Sequence, residues 1–248
     1  MYLNGRDDKG NFMYEWKTRI RYSEVGTDGL LTMCSLIDYF QDCVNLDSDD
    51  RKVGYWELSK KGLGWILLTW QIEVNRYPKM GETVVISTAP HGFRGTFGYR
   101  NFFMRDEEGE LLAVADSTWM LMDFNAMKPV RPADEILNAY ELEERYPMEY
   151  SRTKIVLGDN KEEQERFHVG VHHLDTNHHV NNGQYVAMAQ QYLPEDFVVN
   201  KLRVEYRKQA MLGDEIVPWV SCEDGAYKVA INNGEDAAFA VLLFHTNA

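Results

Sequence analysis

The feature that most constrains this chain is a weak internal repeat, because a repeated unit must build the same local structure twice. Residues 19–33 read RIRYSEVGTDGLLTM and residues 168–182 read HVGVHHLDTNHHVNN. At this offset of 149, Val25 falls on Leu174 and Thr27 on Thr176. Further on, IEVNRYPKMGE at 72–82 matches VEYRKQAMLGD at 204–214, an offset of 132 that puts Glu73 on Glu205 and Gly81 on Gly213. The smaller second offset means that the first copy carries a longer insertion between its helix and its strands.

Each copy predicts a strand (14–23 and 166–173), a tight polar turn, one helix and a run of strands. In copy one Thr32 is the expected N-cap, and Leu36, Ile37, Phe40 and Val44 follow at helical spacing. In copy two Asn181 or Asn182 is the cap. Tyr185, Val186, Met188, Ala189 and Tyr192 follow, and Pro194 ends the helix. Strands are expected at 65–76, 83–90, 95–105 and 110–123, with a turn at Asp106–Gly109. In copy two they are expected at 199–208, 215–222, 226–232 and 237–245, with a turn at Asn232–Asp236. One buried helix wrapped by antiparallel strands is an α+β fold. The expected domains are 1–132 and 166–248. The Glu-, Asp- and Lys-rich stretch 133–165 reads as a surface linker with a helix near 133–145.

Composition narrows the function. The 248 residues carry 26 basic and 39 acidic side chains, a net charge of −13. So acidic a chain is a poor non-specific nucleic-acid binder. Cys34, Cys43 and Cys222 fit neither a disulfide framework nor a metal motif. No apolar run approaches the ~20 residues that span a bilayer, and the first residues carry no signal-peptide pattern. The expectation is a soluble, cytoplasmic protein.

The densest polar cluster, His172 to Asn182, sits where copy two passes from strand through turn to helix. A metal is a weak reading, because His172-His173 and His178-His179 are adjacent pairs whose members point apart on extended chain. A purely structural reading has Asn and Asp shaping the turn and capping the helix. A catalytic reading has His179 moving a proton, with Asn177 and Asp175 two and four residues earlier and so able to share its face. The N-terminal end of the helix, at Asn182 and Gly183, would stabilise a developing oxyanion. At the 149 offset Asp175, Asn177 and His179 fall on Gly26, Asp28 and Leu30, so one active site, in copy two, is the expectation. Copy one would then supply a binding surface. There is no Gly-x-Ser-x-Gly elbow and no phosphate-binding loop.

The run Asp175-x-Asn177-x-His179-Val180-Asn181-Asn182 resembles an element of the plant and bacterial acyl-ACP thioesterases. Arg76-Tyr77-Pro78-Lys79-Met80-Gly81-Glu82, Asp116-Ser117-Thr118-Trp119-Met120 and Glu205-Tyr206-Arg207 are similar to three further segments of that family, in the same order. The resemblance implies a tandem pair of hotdog domains. It also implies hydrolysis of fatty acyl thioesters of acyl carrier protein, no cofactor, and Asp175, Asn177 and His179 as the catalytic set. One departure stands out. Where plant members carry a Glu-Cys pair, this chain has Gln209 and Ala210, so position 209 can hold a water but cannot act as a base. Either His179 or Asp175 then serves as the base that activates water.

An acidic carrier needs a local basic surface. Lys201, Arg203, Arg207 and Lys208 are the candidates, with Arg94 and Arg100 as alternatives in copy one. Trp65 and Trp119 are candidates to line an acyl slot in copy one. A homodimer is compatible with the sequence. Two other readings keep the fold: a hydrolase of acyl-CoA or another small thioester, and a non-catalytic protein that binds acyl chains.

Overall fold

The computed structural model describes residues 2–6, 12–234 and 237–246. Two compact units divide them. One comprises the described residues up to Leu68 and those from Val74 to Glu149. The other comprises Thr69–Glu73 and the described residues from Tyr150 onward.

The first unit contains β1 (Tyr2–Arg6), β2 (Phe12–Arg19), α1 (Met33–Asp50), α2 (Tyr55–Lys60), most of β3 (Leu63–Val74), β4 (Thr83–Arg94), β5 (Phe97–Asp106), β6 (Leu111–Asp123), β7 (Lys128–Pro129) and α3 (Asp134–Leu137). Its strands lie in the order β1-β2-β4-β5-β6-β3, with β7 beside β6. Thr32 caps α1 as expected, accepting the Ser35 N–H at 3.1 Å. The helix turns Leu36, Ile37, Phe40 and Cys43 inward, and Phe40 packs on Phe102 of β5 at 5.4 Å between ring centroids. Removing a side chain as large and as buried as Phe40 costs about 3–5 kcal/mol.

The second unit contains β8 (Glu162–Glu163), β9 (Phe167–His168), α4 (Asn182–Gln190), β10 (Lys201–Tyr206), β11 (Glu215–Glu223), β12 (Ala226–Asn232) and β13 (Ala238–His245). β10 pairs antiparallel with residues 69–73 of β3, and the order continues β13-β12-β11-β8. Asn181, not Asn182, caps α4. Its core-facing residues Tyr185, Val186, Met188 and Ala189 are buried.

The α+β reading and most strand runs agree with the structure, the strand placed at 14–23 ends at Arg19 before a 3-10 turn at Tyr22–Glu24, and three further features differ. The strand placed at 166–173 is only Phe167–His168, after which Val171–His173 forms a 3-10 turn. The helix near 133–145 is a single turn, Asp134–Leu137. Beyond it, backbone amides find acceptors elsewhere: Glu143 donates to the Pro90 carbonyl at 2.9 Å and Tyr146 to Asn101 Oδ1 at 3.0 Å. An extended chain bonded outward cannot also make helical bonds. The third is α2, for which the sequence reading made no allowance. Of the turn expected at Asn232–Asp236, residues 235 and 236 lie outside the described residues.

The repeat is visible bond for bond. Ile20 N–H to Glu82 O (2.9 Å) corresponds to Val169 N–H to Asp214 O (3.0 Å). Gly26 N–H to Leu30 O (2.9 Å) corresponds to Asp175 N–H to His179 O (2.8 Å). Leu31 N–H to Pro78 O corresponds to Val180 N–H to Ala210 O, both 2.9 Å. Gly29 has φ +74° where His178 has φ +61°. Each pair keeps the 149 or 132 offset.

Candidate active site

The polar cluster of copy two forms one tight turn. Asp175 Oδ1 accepts the Asn177 N–H at 2.8 Å and the His179 N–H at 3.2 Å. Among the described residues its second oxygen makes no further bond. Leu174 and Val180 pair across the base of the turn, and His179 pairs with Met211. Asn177 and His178 are exposed, and His179 is half-buried. His178 holds a left-handed backbone at a cost of about 1 kcal/mol or more, where copy one has a glycine. Copy one builds its turn differently: among the described residues Asp28 Oδ1 accepts one amide, the Leu30 N–H, at 2.9 Å.

The neighbouring histidines serve the entry to the turn. His173 Nδ1 accepts the Gly170 N–H at 3.0 Å, and its ring lies 3.9 Å from that of His172. Burial, with a smaller contribution from His172, holds the His173 pKa below its ordinary value. Its counterpart Glu24 accepts the Arg21 N–H in the same way, at 2.7 Å. Among the described residues no group of three or more His, Cys, Asp or Glu side chains is placed to hold a metal ion.

The N-terminal turn of α4 follows at once. The Gly183 amide donates to Asn181 Oδ1 at 2.8 Å and the Gln184 amide to the Asn181 carbonyl at 3.0 Å. Those two donors belong to the cap, which leaves the positive end of the helix dipole as the contribution of α4. Gln209 is exposed on the loop after β10. That loop lies against the turn, because Ala210 O accepts the Val180 N–H and Met211 pairs with His179. The structure therefore brings Gln209 into the neighbourhood of His179, as the sequence order alone did not require.

Two tyrosines, buried Tyr185, read from sequence as an apolar helix position, and half-buried Tyr206, finish the frame. Tyr185 Oη accepts the Ala210 N–H at 2.9 Å. Tyr206 Oη donates to the Asn182 carbonyl at 3.0 Å. A signal for them existed in the repeat, where Leu36 and Val74 occupy the equivalent positions.

The basic strand is not an open cationic patch. Arg203 donates to the Thr153 carbonyl at 2.7 Å and Arg207 to the Ile155 carbonyl at 2.9 Å. Arg207 also pairs with Glu205 at 2.7 Å, and Glu205 Oε1 accepts the Ile155 N–H at 2.8 Å. Lys201 lies 3.7 Å from Glu73. Lys208 is exposed, with its ammonium 5.9 Å from the centre of the Phe239 ring. Arg100, the alternative in copy one, is buried and paired with Asp47 at 2.6 Å, so it is not a surface cation; Arg94 is exposed.

The two candidate tryptophans, Trp65 and Trp119, converge on a glycine. Trp119 pairs with Gly98 across β5 and β6, and its Nε1 donates to Ser117 Oγ at 2.7 Å. A Cβ placed on Gly98 would stand 3.3 Å from Trp65 and 3.1 Å from Phe93. Trp65 packs on Phe93 against a cluster of Val53, Leu58, Leu121, Ile136 and Tyr140.

Antiparallel strands folded on a helix in each unit, α1 on β4 in the first and α4 on β12 and β13 in the second, define a tandem hotdog protein with its polar turn in the second unit. Family models describe the same division: the acyl-ACP thioesterase N-terminal domain matches residues 10–140 and the acyl-ACP thioesterase C-terminal domain matches residues 158–244. The chain belongs to the acyl-ACP thioesterase family. It is 26% identical to an acyl-[acyl-carrier-protein] hydrolase, FATB3, of Cuphea viscosissima, over 88% of this chain and 59% of that protein. It is 24% identical to oleoyl-acyl carrier protein thioesterase 1 of Arabidopsis thaliana, over 82% of this chain and 62% of that protein. It thus spans about three-fifths of the length of these curated relatives. An acyl-ACP thioesterase from Bacteroides thetaiotaomicron has the same fold, with TM-score 0.87 at 20% identity over 97% of this chain and 99% of that one. So does the 12:0-ACP thioesterase of Umbellularia californica, with TM-score 0.83 at 21% identity over 94% and 96%.

Proposed function

We propose that this chain hydrolyses fatty acyl thioesters of acyl carrier protein, releasing a free fatty acid and the carrier thiol. Family membership supports the substrate class. The observation that carries the site is the turn from Asp175 to His179, built on a frame that copy one shares but with a histidine where copy one has Leu30. His179 takes a proton from water, and the hydroxide adds to the thioester carbonyl. The positive end of α4 favours the oxyanion. As the tetrahedral intermediate collapses, the carbon–sulfur bond breaks and the imidazolium returns its proton to the leaving thiolate. Asp175 holds the turn through one oxygen, and its second oxygen can orient the water or itself act as base. Gln209 hydrogen-bonds the water.

In this reading the first unit holds the acyl chain, with Trp65 and Trp119 beside the small Gly98 as candidate lining. The second unit carries the chemistry. Among the described residues no helix is long and apolar enough to cross a membrane, and the cysteines are thiols, which agrees with work in a reducing aqueous compartment such as the cytoplasm.

The test is thiol release from a panel of acyl carrier thioesters of different chain length, with the same acyl groups on CoA in parallel. Faster release from the carrier, with one preferred chain length, is the expected result. Release from CoA alone would move the assignment to an acyl-CoA hydrolase. Retention of acyl chains without thiol release would make the protein a binder.

A further inference from the structure

The repeat supplies a control for the two tyrosines. In copy one, Leu36 and Val74 stand where copy two has Tyr185 and Tyr206, and Pro78, which has no N–H, stands where copy two has Ala210. The backbone bond from Leu31 N–H to Pro78 O nevertheless keeps the 2.9 Å length of its counterpart. The turn therefore forms without either hydroxyl. What the hydroxyls add is a tie between its parts. Tyr185, 3% exposed on α4, fixes the Ala210 amide, and the carbonyl of that residue holds Val180, next to His179. Tyr206 fixes the first residue of α4 to the end of β10. The two rings pack against each other at 5.8 Å. Both ties exist only in the copy that has His179.

We propose that Tyr185 and Tyr206 are positioning residues for the hydrolysis: their hydroxyls hold the Gln209–Met211 loop and the N-terminus of α4 in fixed register with His179. The assignment rests on the thioesterase reading of this site. A misplacement of about 1 Å among reacting groups costs on the order of a hundredfold in rate, whereas a ring that keeps its shape keeps its packing. Burial raises the Tyr185 phenol pKa to about 12, so the hydroxyl stays intact through neutral pH.

The experiment compares thiol release from an acyl carrier thioester by the full chain and by Tyr185→Phe, Tyr206→Phe and Ala210→Pro. The last removes the same hydrogen bond from its donor side, at a position whose counterpart is already proline. Each variant is expected to lower kcat by about ten- to a hundredfold while KM stays within about twofold. The Tyr185→Phe/Ala210→Pro pair should lose no more than either alone, because both delete one bond. Rates are taken per folded molecule, from circular dichroism of each sample. Wild-type release matched within twofold by both Tyr185→Phe and Ala210→Pro would overturn the positioning role alone. No release from the wild type would overturn the functional reading and this role together.

Discussion

Asp175 shows how one side chain divides its duties. Its Oδ1 receives two backbone amides, so it shapes the turn whatever else it does. Asp175→Asn keeps an oxygen acceptor and should melt close to the wild type, with kcat down on the order of a hundredfold. Asp175→Ala strands both amides and should also lose about 1–3 kcal/mol of stability. Equal melting of the two variants would contradict the turn role. His173 gives a pH dependence with a definite sign. Its folded pKa lies below the ordinary 6.5, so the folded chain holds that proton less tightly than the unfolded chain. Its stabilising contribution is whole above pH 6.5 and declines as the pH falls below that value. The melting temperature should therefore drop further between pH 7.5 and pH 5.5 in the wild type than in His173→Gln, which can still accept the Gly170 amide. A parallel drop in the two proteins would remove His173 from the account.

At the scale of elements, β10 is where pattern and structure part. Alternation along a strand correctly places Arg203, Glu205 and Arg207 on one face. It carries no information about what crosses that face. Here the segment 153–155 crosses it, clamped by both arginines and Glu205. Lys208→Glu and Arg207→Glu should consequently behave differently. The first should raise KM for carrier substrates several-fold with stability unchanged within about 0.5 kcal/mol. The second should lower stability by about 1–3 kcal/mol, because the Ile155 carbonyl and Glu205 lose their partner. Melting curves beside KM measurements separate them; equal loss of stability would mean that the clamp does not hold. The missing helix over 138–145 has the same origin, since distant acceptors on Pro90 and Asn101 take amides that local propensity assigns to a helix.

For the whole molecule, duplication made the fold legible. Thr27, Glu73 and Gly81 recur as Thr176, Glu205 and Gly213 at the two offsets, and the structure returns matching hydrogen bonds there, with Gly81 and Gly213 both at φ +83°. The Asp175–His179 cluster was legible for a complementary reason: it is where the copies differ in charge and hydrogen-bonding capacity. The tyrosine ties were not legible, because a tyrosine in a helix or strand does not declare its hydroxyl partner, which here lies 25 residues away for Tyr185 and 24 for Tyr206. The short 3-10 turns and α2 carry too few residues for periodicity to speak. The same comparison between copies directs the decisive measurement, thiol release from the preferred acyl carrier thioester by the wild type and by His179→Ala, each shown to be folded by circular dichroism. The wild type should hydrolyse the thioester, and the variant should lose orders of magnitude in rate. A folded His179→Ala protein that hydrolyses at the wild-type rate would contradict the catalytic role of His179.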